Sequence, residues 1–402
     1  MTGIKNVTLG EVARFIRGIT FKPDDVVPHD SPDAVWCMRT KNVQSQLDLS
    51  SIWAIPAEFV KRPEQYLTAG DLLVSSANSW NLVGKCCWIS NLEHESTFGG
   101  FVSVLRADTS KLHPRYLYHW FSSSRVQTTI RSFGRQTTNI SNLDIKRCLQ
   151  MSIPLPPLDE QRHIAKVLDQ VDALRAKRRE AISLSDELTQ SIFLDMFGDP
   201  IANPFDFNMK SLADWVPQDR PITYGILKPG PDVPGGVPYI RVVDMKEGHI
   251  DESQVRRTSR DIASQYRRSM VMTGDLLVSI RGHVGRLAQV PDTLDGANIT
   301  QDSARLAVSL DSSAYVMACL RTQSIQSWMH RHVKGASIKG INLSDIRKIP
   351  IPEPPMVLQK EFAEHALDCH ELQRKDIDQL SHLDELFGSL QQRAFRGELW
   401  ED

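Results

Sequence analysis

The sequence predicts mixed α/β (α+β) globular modules in tandem duplication, separated by a long antiparallel two-helix coiled coil and related by pseudo-two-fold symmetry. Three observations predict this. The box Ala69-Gly70-Asp71-Leu72-Leu73-Val74-Ser75 recurs as Thr273-Gly274-Asp275-Leu276-Leu277-Val278-Ser279, at an offset of 204. A proline-rich run, Ile153–Pro157 or Ile349–Pro355, ends the stretch that carries each box. A long segment of helical apolar period follows each run. A repeat of this length decides the architecture, because each copy must fold the same way.

Further matches keep the same order. Gly84-Lys85 meets Gly285-Arg286, Arg39 meets Arg241, and Leu143-Asp144-Ile145-Lys146 meets Ser344-Asp345-Ile346-Arg347. Ile153-Pro154-Leu155-Pro156-Pro157 meets Ile351-Pro352-Glu353-Pro354-Pro355, then Gln161 meets Gln359 and Glu187-Leu188 meets Glu385-Leu386. The offset drifts only from 204 to 198. Similarity is weak between Gly100 and Thr138, so the copies share a scaffold and differ in surface.

Within each module, the aliphatic run after Gly-Asp predicts a buried strand. Pro114–Phe121 and Ser313–Leu320 predict helices, from aromatic or aliphatic residues at helical spacing. The proline-rich runs predict extended exits, since proline disfavours helix and biases its predecessor toward extended backbone.

The first long helix is expected with Asp159 as its N-cap and its body from Arg162 to about Met196, stopped by Gly198-Asp199-Pro200. Its seam is predicted at Ile164, Val167, Val171, Leu174, Ala181, Leu188 and Ile192, interrupted by Arg178 and Ser185. Such a helix is about 55 Å long. The second is expected from about Leu358 to Phe395, with its seam at Phe362, Cys369, Leu372, Leu383, Leu386 and Leu390. His365, Asp376 and Gln379 are the imperfections. Connectivity makes the pair antiparallel, and neither helix buries its stripe alone.

Composition narrows the function. At 402 residues, with 41% apolar and 24% charged side chains, the chain has room for several ordinary globular domains. No apolar run reaches the roughly 18–20 residues that span a bilayer, and no signal peptide is read at the N-terminus, so a cytoplasmic protein is expected. Cys37, Cys86, Cys87, Cys148, Cys319 and Cys369 form no C-x-x-C pair and read as buried thiols. Neither they nor the twelve histidines predict a metal site. The net charge of −2 is not that of a free-standing DNA-binding domain. Phosphate binding therefore requires local patches or a partner's surface.

Two related modules held apart suit a ligand with two sites at fixed separation, and duplex DNA is the obvious case. Here the residues carry a family resemblance. Ile153-Pro154-Leu155-Pro156-Pro157-Leu158-Asp159-Glu160-Gln161 leads into a helix ending Leu188-Thr189-Gln190-Ser191-Ile192-Phe193, followed by Met196-Phe197-Gly198-Asp199-Pro200. With the repeated Gly-Asp-Leu-Leu-Val-Ser box and the closing Ala394-Phe395-Arg396-Gly397-Glu398-Leu399, the whole chain resembles the specificity (S) subunit of type I restriction–modification systems. The second copy departs at Pro355-Met356-Val357-Leu358-Gln359, which lacks the Asp-Glu pair.

The resemblance implies target recognition domains at 1–157 and 199–355, and spacer helices at 158–198 and 356–402. It implies that each domain reads one half of a bipartite double-stranded DNA site. The helices then set the gap and dock two modification (methyltransferase) subunits. Those subunits would use S-adenosylmethionine to methylate adenine, and a motor-nuclease restriction subunit would use ATP and Mg²⁺. No cofactor, catalytic residue or metal is implied on this chain.

The motifs agree with that division of labour. Asn203-Pro204-Phe205-Asp206 is similar to an amino-methyltransferase box but lacks its second proline and follows a helix stop. Gly282-His283-Val284-Gly285-Arg286 is too short for a dinucleotide loop, and no P-loop sequence occurs. Ser75 and Ser279 lack the glycines of a nucleophile elbow.

Basic segments are the candidates for DNA contact. In the first module they are Arg125, Arg131 and Arg135, with Gln136, Thr137, Thr138 and Asn139. In the second they are Arg256, Arg257, Arg260, Arg267 and Arg268 with Tyr266, then Arg331, His332, Lys334 and Lys339. Arg and Lys suit phosphate and guanine, and Asn and Gln suit adenine. A solvated surface is the competing reading for any single residue. It is preferred for Arg175, Lys177, Arg178 and Arg179 on the first long helix. The alternative for the whole chain is a protein-interaction adaptor with paired modules on a helical rod, which the near-neutral charge favours.

Overall fold

The computed structural model describes residues 5–133, 135–136, 140–246, 248–335 and 339–398. Two compact units divide the chain, Met1–Arg178 with Asp378–Asp402, and Arg179–Ile377. The division falls inside both long helices, which run Leu158–Phe197 and Met356–Ala394.

In the first unit the repeated box forms the strand Leu72–Ser75, buried at every position. It lies inside a four-stranded antiparallel sheet ordered Ala13–Arg17, Val102–Ala107, Leu72–Ser75, Cys86–Trp88. An unbroken aliphatic run is what a strand covered on both faces needs. A smaller sheet orders Trp53–Pro56, Ala34–Met38, Ser96–Phe98, and its last two strands are parallel. The second unit repeats both. Its four-stranded sheet runs Thr223–Tyr224, Ser303–Leu306, Leu276–Ser279, Leu287–Gln289. Its smaller sheet runs Arg256–Thr258, Val237–Ile240, Asn298–Ile299, with the last pair parallel.

The aspartate of each box is buried and must be neutralised. Arg106 does so for Asp71 with two bonds, at 2.6 and 2.7 Å, whereas Asp275 takes its bond from Arg220 at 2.6 Å. The charge is kept and its counter-charge has moved to a different place in the chain.

Each proline-rich exit forms a two-stranded antiparallel ladder with the start of its own module. Ser152–Pro154 pairs with Asn6–Thr8, and Pro350–Glu353 pairs with Asn208–Ser211. Proline is tolerated there because a two-stranded ladder leaves one edge of each strand free of bonding demands. The predicted helices extend over Pro114–Ser122 and Leu310–Arg321, and each is followed by another, Ser124–Ser132 or Gln323–Arg331. Tyr116 donates its buried hydroxyl to the Pro154 carbonyl at 2.9 Å, and Tyr315 donates to that of Pro352 at 2.8 Å. The scaffold therefore persists through the region where the two sequences match least.

The long helices run antiparallel within each unit. In the first, Ile164, Ala165 and Leu168 share a core with Ala394, while Arg175 bonds Asp384 at 2.5 Å. In the second, Phe193 and Phe197 pack on Phe362, and the Ile182 carbonyl accepts from Gln373 at 3.4 Å. Ile164, Val171, Phe362 and Cys369 are buried as the periodicity predicts, and Val167, Ile192, Leu383 and Leu390 are half-buried.

Several seam assignments need correction. Leu174, Leu188, Leu372 and Leu386 are exposed by 50, 51, 56 and 47%. Arg175 takes the inward position beside Leu174. Its guanidinium lies 4.3 Å from the Phe387 ring centroid and also bonds Asp172 at 2.8 Å. An arginine stem packs like an apolar residue when its head is satisfied, so the seam follows geometry rather than residue class. The solvated face predicted for Arg175 is corrected with it. The first helix also begins at Leu158, which puts Asp159 in its first turn rather than at the cap. Gly198 ends that helix as predicted, at φ +68°, with its N–H on the Leu194 carbonyl.

All six cysteines are buried, and desolvation pushes the thiols of Cys37, Cys87 and Cys148 up to about 12. Those three remain protonated, and all six fill space. Among the described residues, no helix is long and apolar enough to cross a membrane. Among the same residues, no group of three or more His, Cys, Asp or Glu is placed to hold a metal ion.

Candidate functional site

The box strand of each module delivers the chain into a loop pinned at both ends. In the first module Gly84 N–H donates to the Ser75 carbonyl at 2.9 Å, and in the second Gly285 N–H donates to that of Ser279 at 3.0 Å. Both glycines have positive φ, +82° and +91°. A Cβ at Gly84 would come within 2.8 Å of Ile130 Cγ2, and one at Gly285 would collide with the Gln326 amide. A glutamine then ties each loop to the scaffold. The Gln127 amide donates to Gly84 at 3.0 Å and to the helix-end carbonyl of Phe121 at 2.8 Å. Gln326 does the same to Gly285 and Leu320, at the same two distances.

Beside each loop lies a small patch of sheet. In the first module Ala77–Asn78 pairs with Ser141–Asn142, which pairs with Arg135–Gln136. In the second the arrangement is reduced to bridges, Arg281 with Gly340 and Lys334 with Gly340. Phe101 holds the first patch through its carbonyl, which accepts from Ser76 and Ala77 at 2.9 and 3.1 Å. Asp302 plays that part in the second, accepting from Ile280 and Arg281 at 2.8 and 3.3 Å. The frame is common to both modules and its side chains are not.

The second module gathers cations on this frame. Exposed Lys339 accepts from Gly282 through its carbonyl at 3.1 Å, and exposed Lys334 is bridged to Gly340 next to it. Arg281 reaches Gln301 at 3.0 Å. Lys334 also approaches Asp345 at 3.9 Å. Arg331 is exposed at the end of the helix that leads into this segment, and His332 stacks on Trp328 with centroids 3.9 Å apart.

Arg281 was missed from the sequence because no basic residue adjoins it in the chain. The drift in the repeat offset was the signal available. The other basic group of this module sits on the smaller sheet. Arg256 and Arg257 are on its edge strand. Arg257 is held by Asp232, which accepts its N–H at 2.7 Å, and by the Gly236 carbonyl, which accepts from its guanidinium at 3.0 Å. Arg267 and Arg268 occupy an exposed 3-10 turn, fixed by Ser269 on Asn298 at 2.6 Å. Arg256 and Arg257 thus lie on a strand of the smaller sheet, whereas Arg281 and Lys334 lie on segments bridged to Gly340.

In the first module Arg125 is exposed, and Arg131 is half-buried with its guanidinium turned back toward Gln127 at 3.5 Å. Thr137, Thr138 and Asn139 lie outside the described residues, and Arg135 and Gln136 are placed by their backbone alone. Two exposed aromatics here were not predicted. Trp80 is 51% exposed and Phe101 65% exposed.

The type I restriction modification DNA specificity domain matches residues 1–184 and 228–391 of the chain. The type I restriction enzyme EcoBI specificity subunit of Escherichia coli is 25% identical over 430 residues, covering 98% of this chain and 85% of that one. The EcoKI specificity subunit of Escherichia coli (strain K12) is 24% identical over 430 residues, covering 96% and 87%. A crystal structure of a type I restriction–modification S subunit from M. genitalium matches with a TM-score of 0.53 at 15% identity, covering 98% of this chain and 97% of that one.

Proposed function

This chain belongs to the type I restriction–modification DNA specificity family, and we propose on that premise that each module reads one half of a bipartite duplex site. The long helices set the gap between the halves and dock two modification subunits. S-adenosylmethionine would be bound by those subunits, and ATP with Mg²⁺ by a motor-nuclease restriction subunit where one joins. The observation that carries the reading is the shared frame with divergent side chains. The loop after the box strand is pinned alike twice, yet that loop and the segments beside it present Trp80 and Phe101 in one module and Arg281, Lys334 and Lys339 in the other. One scaffold bearing two different surfaces suits two unlike half-sites. The net charge of −2 fits as well, because the cations are local and partners can supply more of the phosphate-binding surface.

Methylome sequencing of cells with and without this gene tests the reading. A split adenine-methylated motif should vanish with the gene, and exchanging one module should change one half of it. No change in any motif, with active partner subunits present, would contradict it.

Charge removal separates the two basic groups. Lys334→Ala with Lys339→Ala is expected to flatten the slope of log affinity against log salt by about 0.9 for each phosphate that is no longer neutralised. Arg267→Ala with Arg268→Ala is expected to weaken binding of the intact complex as well. A double variant whose affinity and salt slope match wild type would remove its pair from the DNA surface.

A further inference from the structure

The offset between the two modules falls from 204 at Ser75 and Ser279 to 201 at Gly84 and Gly285, and it is still 201 at Phe101 and Asp302. Three extra residues therefore lie in the first module's loop, between two ends pinned alike in both copies. The insertion is ordered. Ser79 N–H donates to its neighbour Asn78 Oδ1 at 2.8 Å, Ser79 Oγ to Asn81 Oδ1 at 2.7 Å, and Leu82 and Val83 N–H to the Ser79 carbonyl at 2.9 and 3.0 Å. At its tip stands Trp80, half exposed. Phe101, whose carbonyl holds the foot of the same loop, is more exposed still, and the matching position in the second module is Asp302. A folded surface seldom presents an exposed tryptophan and an exposed phenylalanine on one ordered frame without a use for them. Arg125 is exposed on the helix that packs under Gly84, and the backbone of the Arg135–Gln136 strand shares the sheet patch.

We propose that the first module reads its half-site through apolar contact of Trp80 and Phe101 with thymine C5-methyl groups in the major groove, while the flanking cations hold the phosphates. The proposal rests on the bipartite reading given above. The thymine methyl is the only apolar handle among the base edges of the major groove, and aromatic side chains are suited to it. A half-site that supplies an adenine for methylation has at least one thymine opposite. The second module, with Arg281, Gln301 and Asp302 on the same frame, shows no such apolar pair there among the described residues and reads by polar contacts instead.

The test uses the complex assembled with its modification subunits and duplex probes bearing its split motif, with each half assigned by module exchange. Deoxyuridine replaces thymidine in one half at a time, which removes the methyl and leaves the base pairing intact. Wild-type complex should lose about fourfold in affinity for each recognised methyl removed from the first module's half. The Trp80→Ala, Phe101→Ala complex should bind the unmodified site about tenfold more weakly and be indifferent to the same replacement. Trp80→Phe, which keeps an apolar ring, should regain methyl sensitivity. Wild-type indifference to uridine in that half overturns the proposal without needing any variant to fold, and so does a double variant that stays as sensitive as wild type. A complex that methylates no split motif at all overturns the bipartite reading and this inference with it.

Discussion

Phe193→Ala is expected to destabilise the second unit by about 3–5 kcal/mol, the range for truncating a phenylalanine in a packed core. Phe193 is fully buried, with ring centroids 5.2 Å from Phe197, 5.7 Å from Tyr315 and 5.5 Å from Phe362. These rings come from three separate elements: the first long helix, the module helix Leu310–Arg321 and the second long helix. The module helix is further fixed by Tyr315 on Pro352, so the walls of the cavity cannot close freely. A loss of this size is a large part of the ~5–15 kcal/mol that holds a domain folded. Denaturant or thermal unfolding of the full chain reads it. Leu194→Ala is the control, since Leu194 is the next residue along and 45% exposed; its expected effect is within about 0.5 kcal/mol. Equal losses from the two would mean that the aromatic cluster contributes nothing beyond ordinary helix stability.

The duplication and the presence of two long helices were legible because they leave linear traces. An aliphatic run behind Gly-Asp, a proline ladder and a long helical period each have a signature in one dimension. The seam was only half legible. Leu174 and Leu188 look like seam residues by type, yet Arg175 takes the inward position by pairing with Asp172 and Asp384 over Phe387. No periodicity of apolar residues can report a charged residue satisfied by partners from another helix. The candidate site was less legible still. Lys334 and Lys339 were found by charge, but their neighbour Arg281 is brought to them by a bridge to Gly340 across nearly sixty positions. Trp80 and Phe101 belong to no motif in the sequence, and only their exposure sets them apart. Tyr116 with Tyr315, and Gln127 with Gln326, keep the same bonds where the surrounding sequences have diverged. They anchor the frame on which the divergent surfaces sit.

Lengthening the long helices together is expected to change the gap in the recognised site and neither of its halves. Seven residues inserted after Arg178 and seven after Ile377 fall where the chain divides into its two units, so the packing within each unit is left in place. Arg175 keeps Asp384, and Phe193 keeps Phe362, because each pair lies wholly on one side of the insertions. Seven residues add about 10 Å of helix, and they return the helical phase to within about 20°. One turn of duplex, about 10–10.5 base pairs, occupies about 34–36 Å, so the added length corresponds to roughly 3 base pairs of extra gap. Methylome sequencing of cells carrying the lengthened chain should show the original half-sites with that wider spacing. Insertion into the first helix alone gives the two helices unequal lengths, so the seam of one unit must slip; methylation should fall rather than move to a new gap. If the doubly lengthened chain instead methylates the original motif at its original spacing, the distance between half-sites is set by the modification subunits, and the helices serve only to dock them.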